Sequence, residues 1–360
     1  MTETSHTGIQ TVGPLDVEVT GVPGSHAERG VPFDGDPRTL WRVEQHDSPL
    51  DLSRVPTGRR TAFDGGKKRG RRALEGRAGL LAELQELLWA HVAAAPDEER
   101  RAVDSAIAAR VPRRRPSEWE RREQLFSPAV EDALKRVERG PRILLVLQGM
   151  DASGKGGMVK SVVGAMDPLG VDVAAFGRPT PDEARKHYLQ RVIRSLPEPG
   201  HVGVFDRSHY EDVLVPAVNG VLDEDVLAAR TEALQIFERE LVRHGFVIVK
   251  VMLHISAEEQ LERLVSRLEH EHKHWKYDPS DADARAEFGT YQRVYGALLE
   301  ATSAPHAPWH VIGADRKWYS RLAVQELLIA ALADLNLKWP AADYEVEKER
   351  ARLIRSVPEL

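Results

Sequence analysis

From about residue 141 the chain alternates short, continuous apolar runs with longer segments of helical periodicity. The runs fall at 142–147, 171–176, 201–205, 246–255 and 309–312, and the periodic segments at 155–166, 182–195, 224–244, 257–270, 283–302 and 317–335. Short runs rich in Val and Ile, without polar alternation, are expected of strands buried on both faces; their length argues against buried helix. Strand and helix taking turns predicts an α/β fold: a parallel sheet with helices on both faces and a ligand site at the carboxyl ends of the strands. Upstream, Leu80, Leu81, Leu84, Leu87, Leu88 and His91 recur at helical spacing and predict an amphipathic helix over 73–93, preceded by the basic cluster KKRGRR at 67–72. Residues 1–60, rich in Gly, Pro, Asp, Ser and Thr, read as a mobile arm. Residues 61–140 read as a helical extension whose arginine-rich part, 94–140 with Arg113, Arg114 and Arg115, is a solvated insertion. The core domain is expected at 141–340 and a tail at 341–360.

Composition narrows the classes. The 360 residues are 42% hydrophobic and 29% charged, enough for one large domain or two small ones with a sizeable core. No run of about 18 apolar residues predicts a membrane span, and MTETSHTGIQ lacks the charged and apolar regions of a secretory signal. With no cysteine, disulfides, thiolate metal sites and cysteine nucleophiles are excluded, and a cytoplasmic setting fits. A net charge of -6 argues against a nucleic-acid partner held by bulk electrostatics, while leaving room for a local basic channel.

The first apolar run enters Gly149-Met-Asp-Ala-Ser-Gly-Lys-Gly-Gly157, a G-x-x-x-x-G-K frame followed by a helical segment. Strand, glycine loop and helix in that order let backbone N–H groups of Gly149, Ala152, Ser153, Gly154, Gly156 and Gly157 wrap a phosphate, with Lys155 adding a point charge. A glycine-rich turn with a surface lysine would leave the cation at a helix start unexplained. Two features depart from the common frame. Gly156 stands where Ser or Thr usually holds Mg²⁺, and Asp151 puts a carboxylate into a pocket built for anions. Asp151 is therefore expected to hold Mg²⁺ or to orient or deprotonate the attacking group, with outward-facing helix capping as the alternative.

The third run ends Phe205-Asp-Arg-Ser-His-Tyr-Glu-Asp212. A strand-end carboxylate beside a phosphate loop is where such proteins keep their second acidic residue, so Asp206 joins Asp151 as a metal or catalytic candidate. Arg207 is placed to pair with a phosphoryl group, with a plain ion pair as the alternative. Tyr210, Glu211 and Asp212 are assigned to the nucleotide, although the two acids could equally cap the next element. After the second run, Arg178, Arg191 and Arg194 are phosphate-binding candidates, near a Thr180–Glu183 capping box and beside Arg185 and Lys186. Arg263, Arg267, Lys273 and Lys276, within a stretch holding four histidines, are expected to form a basic lid. A histidine metal site there is disfavoured by the neighbouring cations.

Together these residues resemble the type 2 polyphosphate kinase family. Its G-x-D-A-x-G-K-x-G loop is matched by Gly149, Asp151, Ala152, Gly154, Lys155 and Gly157, and its F-[DN]-R-S-x-Y strand end by Phe205, Asp206, Arg207, Ser208 and Tyr210. SHYEDVLV, the Arg191 and Arg194 pair, Trp275-Lys276 and ADRKWY look most like the subclass accepting nucleoside monophosphates as well as diphosphates, over about 141–340 and the helix near 68–92. Gly156 and Asp206 depart from that subclass, which tends to carry Asp and Asn there. The resemblance implies a P-loop three-layer α/β/α sandwich with a helical lid and a homo-oligomer, dimer or tetramer. It implies Mg²⁺-dependent, reversible phosphoryl transfer between inorganic polyphosphate and AMP/ADP or GMP/GDP. Asp151, Lys155, Asp206 and Arg207 would be catalytic. The rival readings are an ATP-dependent nucleoside monophosphate kinase and a non-catalytic polyphosphate or nucleotide sensor.

Overall fold

The computed structural model describes residues 31–44, 50–113 and 116–356. Strands β1 (Arg142–Gln148), β2 (Val171–Ala175), β3 (Val202–Asp206), β4 (Phe246–His254) and β5 (Trp309–Gly313) form one parallel sheet in the order β2-β3-β1-β4-β5. β1, β4 and β5 are buried at every position, which is why each reads as an unbroken apolar run. β2 is a half-exposed edge. The β5 edge is covered: Val43 N–H donates to Trp309 O and Val311 N–H to Trp41 O, both at 2.8 Å, so an antiparallel segment blunts it. The chain steps from β1 outward to β2, returns to β3, and then crosses to β4. The winding therefore reverses between β1 and β3, and their carboxyl ends carry Gly149 and Asp206 side by side, with Leu147 in register with Asp206.

The predicted upstream helix is Lys67–Ala94, beginning inside the basic cluster, and Leu80, Leu81, Leu84, Leu87, Leu88 and His91 are all buried. It lies along the helix Lys317–Ala333, itself buried on nearly every side. Arg77 and Glu326 bind bidentately across the interface, at 2.9 and 2.8 Å. Gly70 admits the Trp318 ring, since a Cβ there would stand 2.1 Å from it.

Two upstream expectations need correction. The arm is not loose over 31–44 and 50–60: Phe33, Trp41, Val43 and Leu52 are core residues, and Phe33 packs edge-on against Trp41 with ring centroids 4.9 Å apart. Aromatic and apolar residues scattered among Pro and Gly fill hollows without needing a period. Residues 1–30 and 45–49 lie outside the described residues. Nor is the 94–140 insertion merely solvated. Its helices Asp97–Ala108, Pro116–Leu125 and Pro128–Lys135 bury Ile107, Val130 and Leu134, with Phe126 buried between the last two. Arg122 there is a buried clasp, bonding Glu131 at 2.5 Å and Glu240 at 2.7 Å. Arg113 is exposed, and Arg114 and Arg115 lie outside the described residues.

Further along, the periodic segments at 182–195 and 283–302 each resolve into two helices, Pro181–Ala184 with Leu189–Ile193, and Ser280–Ala286 with Phe288–Thr302. The Thr180–Glu183 capping box is formed. A helix that the pattern did not separate, Glu211–Val218, follows β3 with Pro216 inside it. Among the described residues no helix is long and apolar enough to cross a membrane.

Candidate active site

The loop after β1 is organised by what its carbonyls do. Lys155 Nζ donates to Gly149 O at 2.6 Å and Met150 O at 3.3 Å. Gln260 donates to Asp151 O at 3.2 Å, and Arg263 Nη1 donates to Ala152 O at 2.9 Å and Ser153 O at 3.0 Å. Gly154 O accepts from Met158 N–H at 3.0 Å, starting the helix Lys155–Ser161. With these oxygens bonded to the protein, the peptide N–H groups other than that of Ser153, which donates to Met150 O at 3.1 Å, are what the loop can offer a ligand, as anion binding requires. Gly149 is obligatory: its φ is +144°, and a Cβ would stand 2.7 Å from Leu253 O. Ala152 and Arg207 hold φ of 63° and 64° without being glycine, at a cost of about 1–3 kcal/mol each. Arg207 is fixed by its N–H to Leu147 O at 3.0 Å, so this strained residue is anchored to β1.

Asp151 and Arg207 meet at 2.8 Å (Oδ1 to Nη2), both partly exposed. Burial pushes the Asp151 carboxyl up, but Lys155 and Arg207 outweigh it and hold the group below the ordinary carboxylate value. Burial drives Lys155 down against the opposing pull of Asp151. Arg207 is weakened by burial and strengthened more by Asp151 and Glu211. Asp206 lies near enough to Lys155 to act on its charge. Glu211 is raised by burial, which Arg207 and Lys155 only partly offset.

Of these groups Asp151, Arg207 and Glu211 line a cavity of about 480 Å³ at the strand ends, whereas Lys155 and Asp206 are not among its lining residues. Gly149, Met150, Asp151 and Arg207 line it together with Arg178, Arg191, Val215, Pro216 and Asn219. Larger hollows of about 510 and 690 Å³ touch neither the loop nor Arg207, so chemistry rather than size selects the site.

A family model described as "Polyphosphate kinase 2 (PPK2)" matches residues 118–339. The chain belongs to the polyphosphate kinase 2 family. It is accordingly an enzyme that transfers phosphoryl groups between polyphosphate and nucleotides. It is 34% identical over 308 residues to an AMP/ADP-polyphosphate phosphotransferase of Meiothermus ruber, covering 86% of this chain and 97% of that one. It is 32% identical over 219 residues to an ADP-polyphosphate phosphotransferase of Rhodopseudomonas palustris, covering 58% and 76%. The crystal structure of polyphosphate kinase 2 from Arthrobacter aurescens TC1 superposes with a TM-score of 0.73 at 39% identity, covering 90% of this chain and 98% of that one.

Not every residue expected at the site of this polyphosphate kinase 2 reaches it. Tyr210 does not face the 480 Å³ cavity: it is 1% exposed and turned into the core, donating to Glu238 at 2.7 Å and accepting from Lys250 at 3.0 Å. Arg263 is no free phosphate ligand. Its five donors are spent on Glu259, the two loop carbonyls, and Ala314 O and Asp315 O, so it braces the loop from behind. Arg194 is exposed and lines the 690 Å³ hollow rather than this cavity. Arg191 lines the cavity already paired with Asp212 at 2.9 Å. Arg267 is held by Lys276 O at 2.9 Å and Asp281 at 3.0 Å, and Lys273 donates to Ser266 Oγ at 3.0 Å. Lys276 is exposed over the Trp275 ring, and Trp275 is 79% exposed.

Sequence reasoning missed Gln148, Gln260, Tyr291 and Tyr295. Gln148 joins the parts: Tyr295 donates to its Oε1 at 3.2 Å and it donates to Ser208 at 3.0 Å, tying β1, β3 and the helix Phe288–Thr302 together. The available signals were a polar residue ending an apolar strand, and two tyrosines one helical turn apart.

Proposed function

We propose that this enzyme binds a nucleoside mono- or diphosphate in the 480 Å³ cavity and the end of a polyphosphate chain on the glycine loop, and transfers the terminal phosphoryl between them. The observation that carries this reading is the loop itself: every carbonyl from Gly149 to Gly154 is bonded within the protein, beside the Asp151–Arg207 pair at the switch point. The Meiothermus ruber relative, named for AMP and ADP, supports an acceptor range that includes both.

In the forward direction a phosphate oxygen of the nucleotide attacks the terminal phosphorus of polyphosphate. The new P–O bond forms as the anhydride P–O bond breaks, and the chain leaves one unit shorter. Asp151 orients the attacking phosphate. Arg207 and Lys155 neutralise charge spreading over the transferred oxygens, and the loop amides hold the group in line. No covalent intermediate on the protein is needed.

Mg²⁺ fits this donor set. Among the described residues no three His, Cys, Asp or Glu side chains converge on one point, so the protein would supply Asp151 and Asp206 and leave the remaining positions to phosphate oxygens and water, as Mg²⁺ prefers. When bound, the ion would supply charge neutralisation to the transferring group. A cytoplasmic setting, which the absence of cysteine fits, and a homo-oligomer, which the family resemblance implies, belong to the same reading; light scattering measures the latter.

The test is a donor–acceptor matrix with Mg²⁺: short and long polyphosphate or ATP, against AMP, ADP, GMP and GDP. Transfer from polyphosphate to a mono- and a diphosphate is expected. Transfer from ATP alone would identify a nucleoside monophosphate kinase, and binding without turnover a sensor.

A further inference from the structure

The fold treats the two edges of its sheet differently. At β5 the segment 41–43 pairs with the outer strand and covers it. At β2 nothing does so among the described residues. Phe176 N–H donates to Asp206 O, so the even-numbered residues here turn their backbone groups to β3 and the odd-numbered ones turn theirs outward. Val171 N–H folds back to Pro168 O. The N–H groups of Val173 and Ala175 and the carbonyls of Val171 and Val173 bond nothing among the described residues.

This edge also lacks the usual guards. Val171–Ala175 contains no Lys, no Pro and no bulge, and its one charge, Asp172, is bonded to His201 at 2.8 Å. Val173 is 53% exposed, and Leu169 in the turn before the strand 72%.

Such a strand is complementary to itself about Val173. Antiparallel pairing with a second copy across a two-fold axis sets Val173 against the partner's Val173 as a hydrogen-bonded pair, and Ala175 against the partner's Val171. The open groups named above are then all used. Asp172 falls opposite the partner's Ala174, so like charges do not meet along the strand. Beyond its ends charge is matched: Asp167 precedes the strand and Arg178 follows it, both exposed, and the antiparallel arrangement brings each Arg178 to the partner's Asp167.

We infer that β2 is the surface through which two copies of this chain join, making one ten-stranded sheet across the pair. The inference rests on the homo-oligomer included in the proposed function and names its interface. It also brings the partner to the site. Arg178 lines the 480 Å³ cavity, and the neighbouring Gly177, which has open space where a Cβ would stand, receives the partner's Leu169. Gly177 O accepts from Arg191 at 3.0 Å, so the second copy supports the part of the cavity wall that carries both arginines.

Because the chain has no cysteine, a single one placed on the axis reads the register. A hydrogen-bonded antiparallel pair sets its Cα atoms about 5.5 Å apart, within disulfide reach. Val173→Cys in the full chain, held in air with a copper catalyst, should run as a cross-linked dimer on a non-reducing gel. Ala174→Cys, whose two copies are staggered by two residues and stand more than about 7 Å apart, should not. In light scattering Val173→Lys, which sets two ammonium groups face to face, should have half the wild-type mass at an unchanged melting temperature. Its KM for the nucleotide should rise several-fold while KM for polyphosphate stays the same. A V173K variant that keeps the wild-type mass, or a V173C variant that does not cross-link, overturns the β2 interface and leaves the homo-oligomer standing. A monomeric wild type overturns both. Half the mass with an unaltered nucleotide KM overturns the partner's part in the cavity wall.

Discussion

Arg207 and Tyr210 stand in one short turn after β3 and serve opposite sides of the molecule. Arg207 turns to the cavity, pairs with Asp151 and stays partly exposed. His209 and Tyr210 turn inward to a sealed network in which Glu238 bonds His209 at 3.2 Å, Tyr210 at 2.7 Å and Lys250 at 2.6 Å, with Lys250 fully buried. On the outer side charges sit where a ligand can replace one partner by another. On the inner side they are matched to each other and fix the turn that aims Arg207. The Asp151–Arg207 pair is therefore expected to matter to turnover, and the Glu238–Lys250 pair to stability.

The largest effect should come from the outer side. Lys155→Met removes the charge proposed to neutralise the transferring phosphoryl and frees the Gly149 and Met150 carbonyls from the ammonium, so kcat/KM for phosphoryl transfer should fall by about 10³. Steady-state transfer with a polyphosphate donor reads this directly, and a loss below tenfold would move Lys155 out of the site.

On the inner side, Lys250→Met leaves Glu238 buried without its cation and should cost about 3–5 kcal/mol of stability at neutral pH in urea unfolding. The pH dependence gives the sign. In the wild type burial raises Glu238, but Lys250 and His209 overcome it and bring its pKa to about 2, against an ordinary 4.5. Its contribution is thus whole above pH 4.5 and lost as pH falls toward 2. Without Lys250 burial prevails and the carboxyl rises, so the variant should gain stability between pH 7 and 5, where the wild-type pair is already at its full contribution. A variant losing under about 1 kcal/mol, or flat across that range, would break the contrast.

Arg263→Gln lies between the two regions. Unbracing the loop should lower kcat several-fold more than it raises the nucleotide KM, and cost about 1–3 kcal/mol through the orphaned carbonyls. Smallest of all, Arg194→Ala should leave kcat and KM within about twofold, because this exposed side chain lies outside the cavity.

How much of this was legible follows from where each signal resides. The strands were legible because both faces are buried, which writes an unbroken apolar run. The loop was legible because its backbone needs glycine at fixed offsets, as the positive φ of Gly149 and Gly154 makes plain. Arg263 was legible as basic and not as a brace, since its carbonyl partners come from Ala152 and Ala314, both distant in the chain. Tyr210 was misassigned because a motif gives order along the chain and not which side of a turn each residue takes. The arm over 31–44 and 50–60 was hidden because its burial follows no period.

The measurement closest to the heart of the account is Asp151→Asn, with kcat for polyphosphate-driven phosphorylation and the urea unfolding midpoint taken on the same preparation. The predicted result is a kcat lower by about 10³ or more with the midpoint lowered only slightly, by the loss of the partly exposed pair with Arg207. A near-normal kcat, or a loss of activity matched by a loss of folded protein, would contradict it.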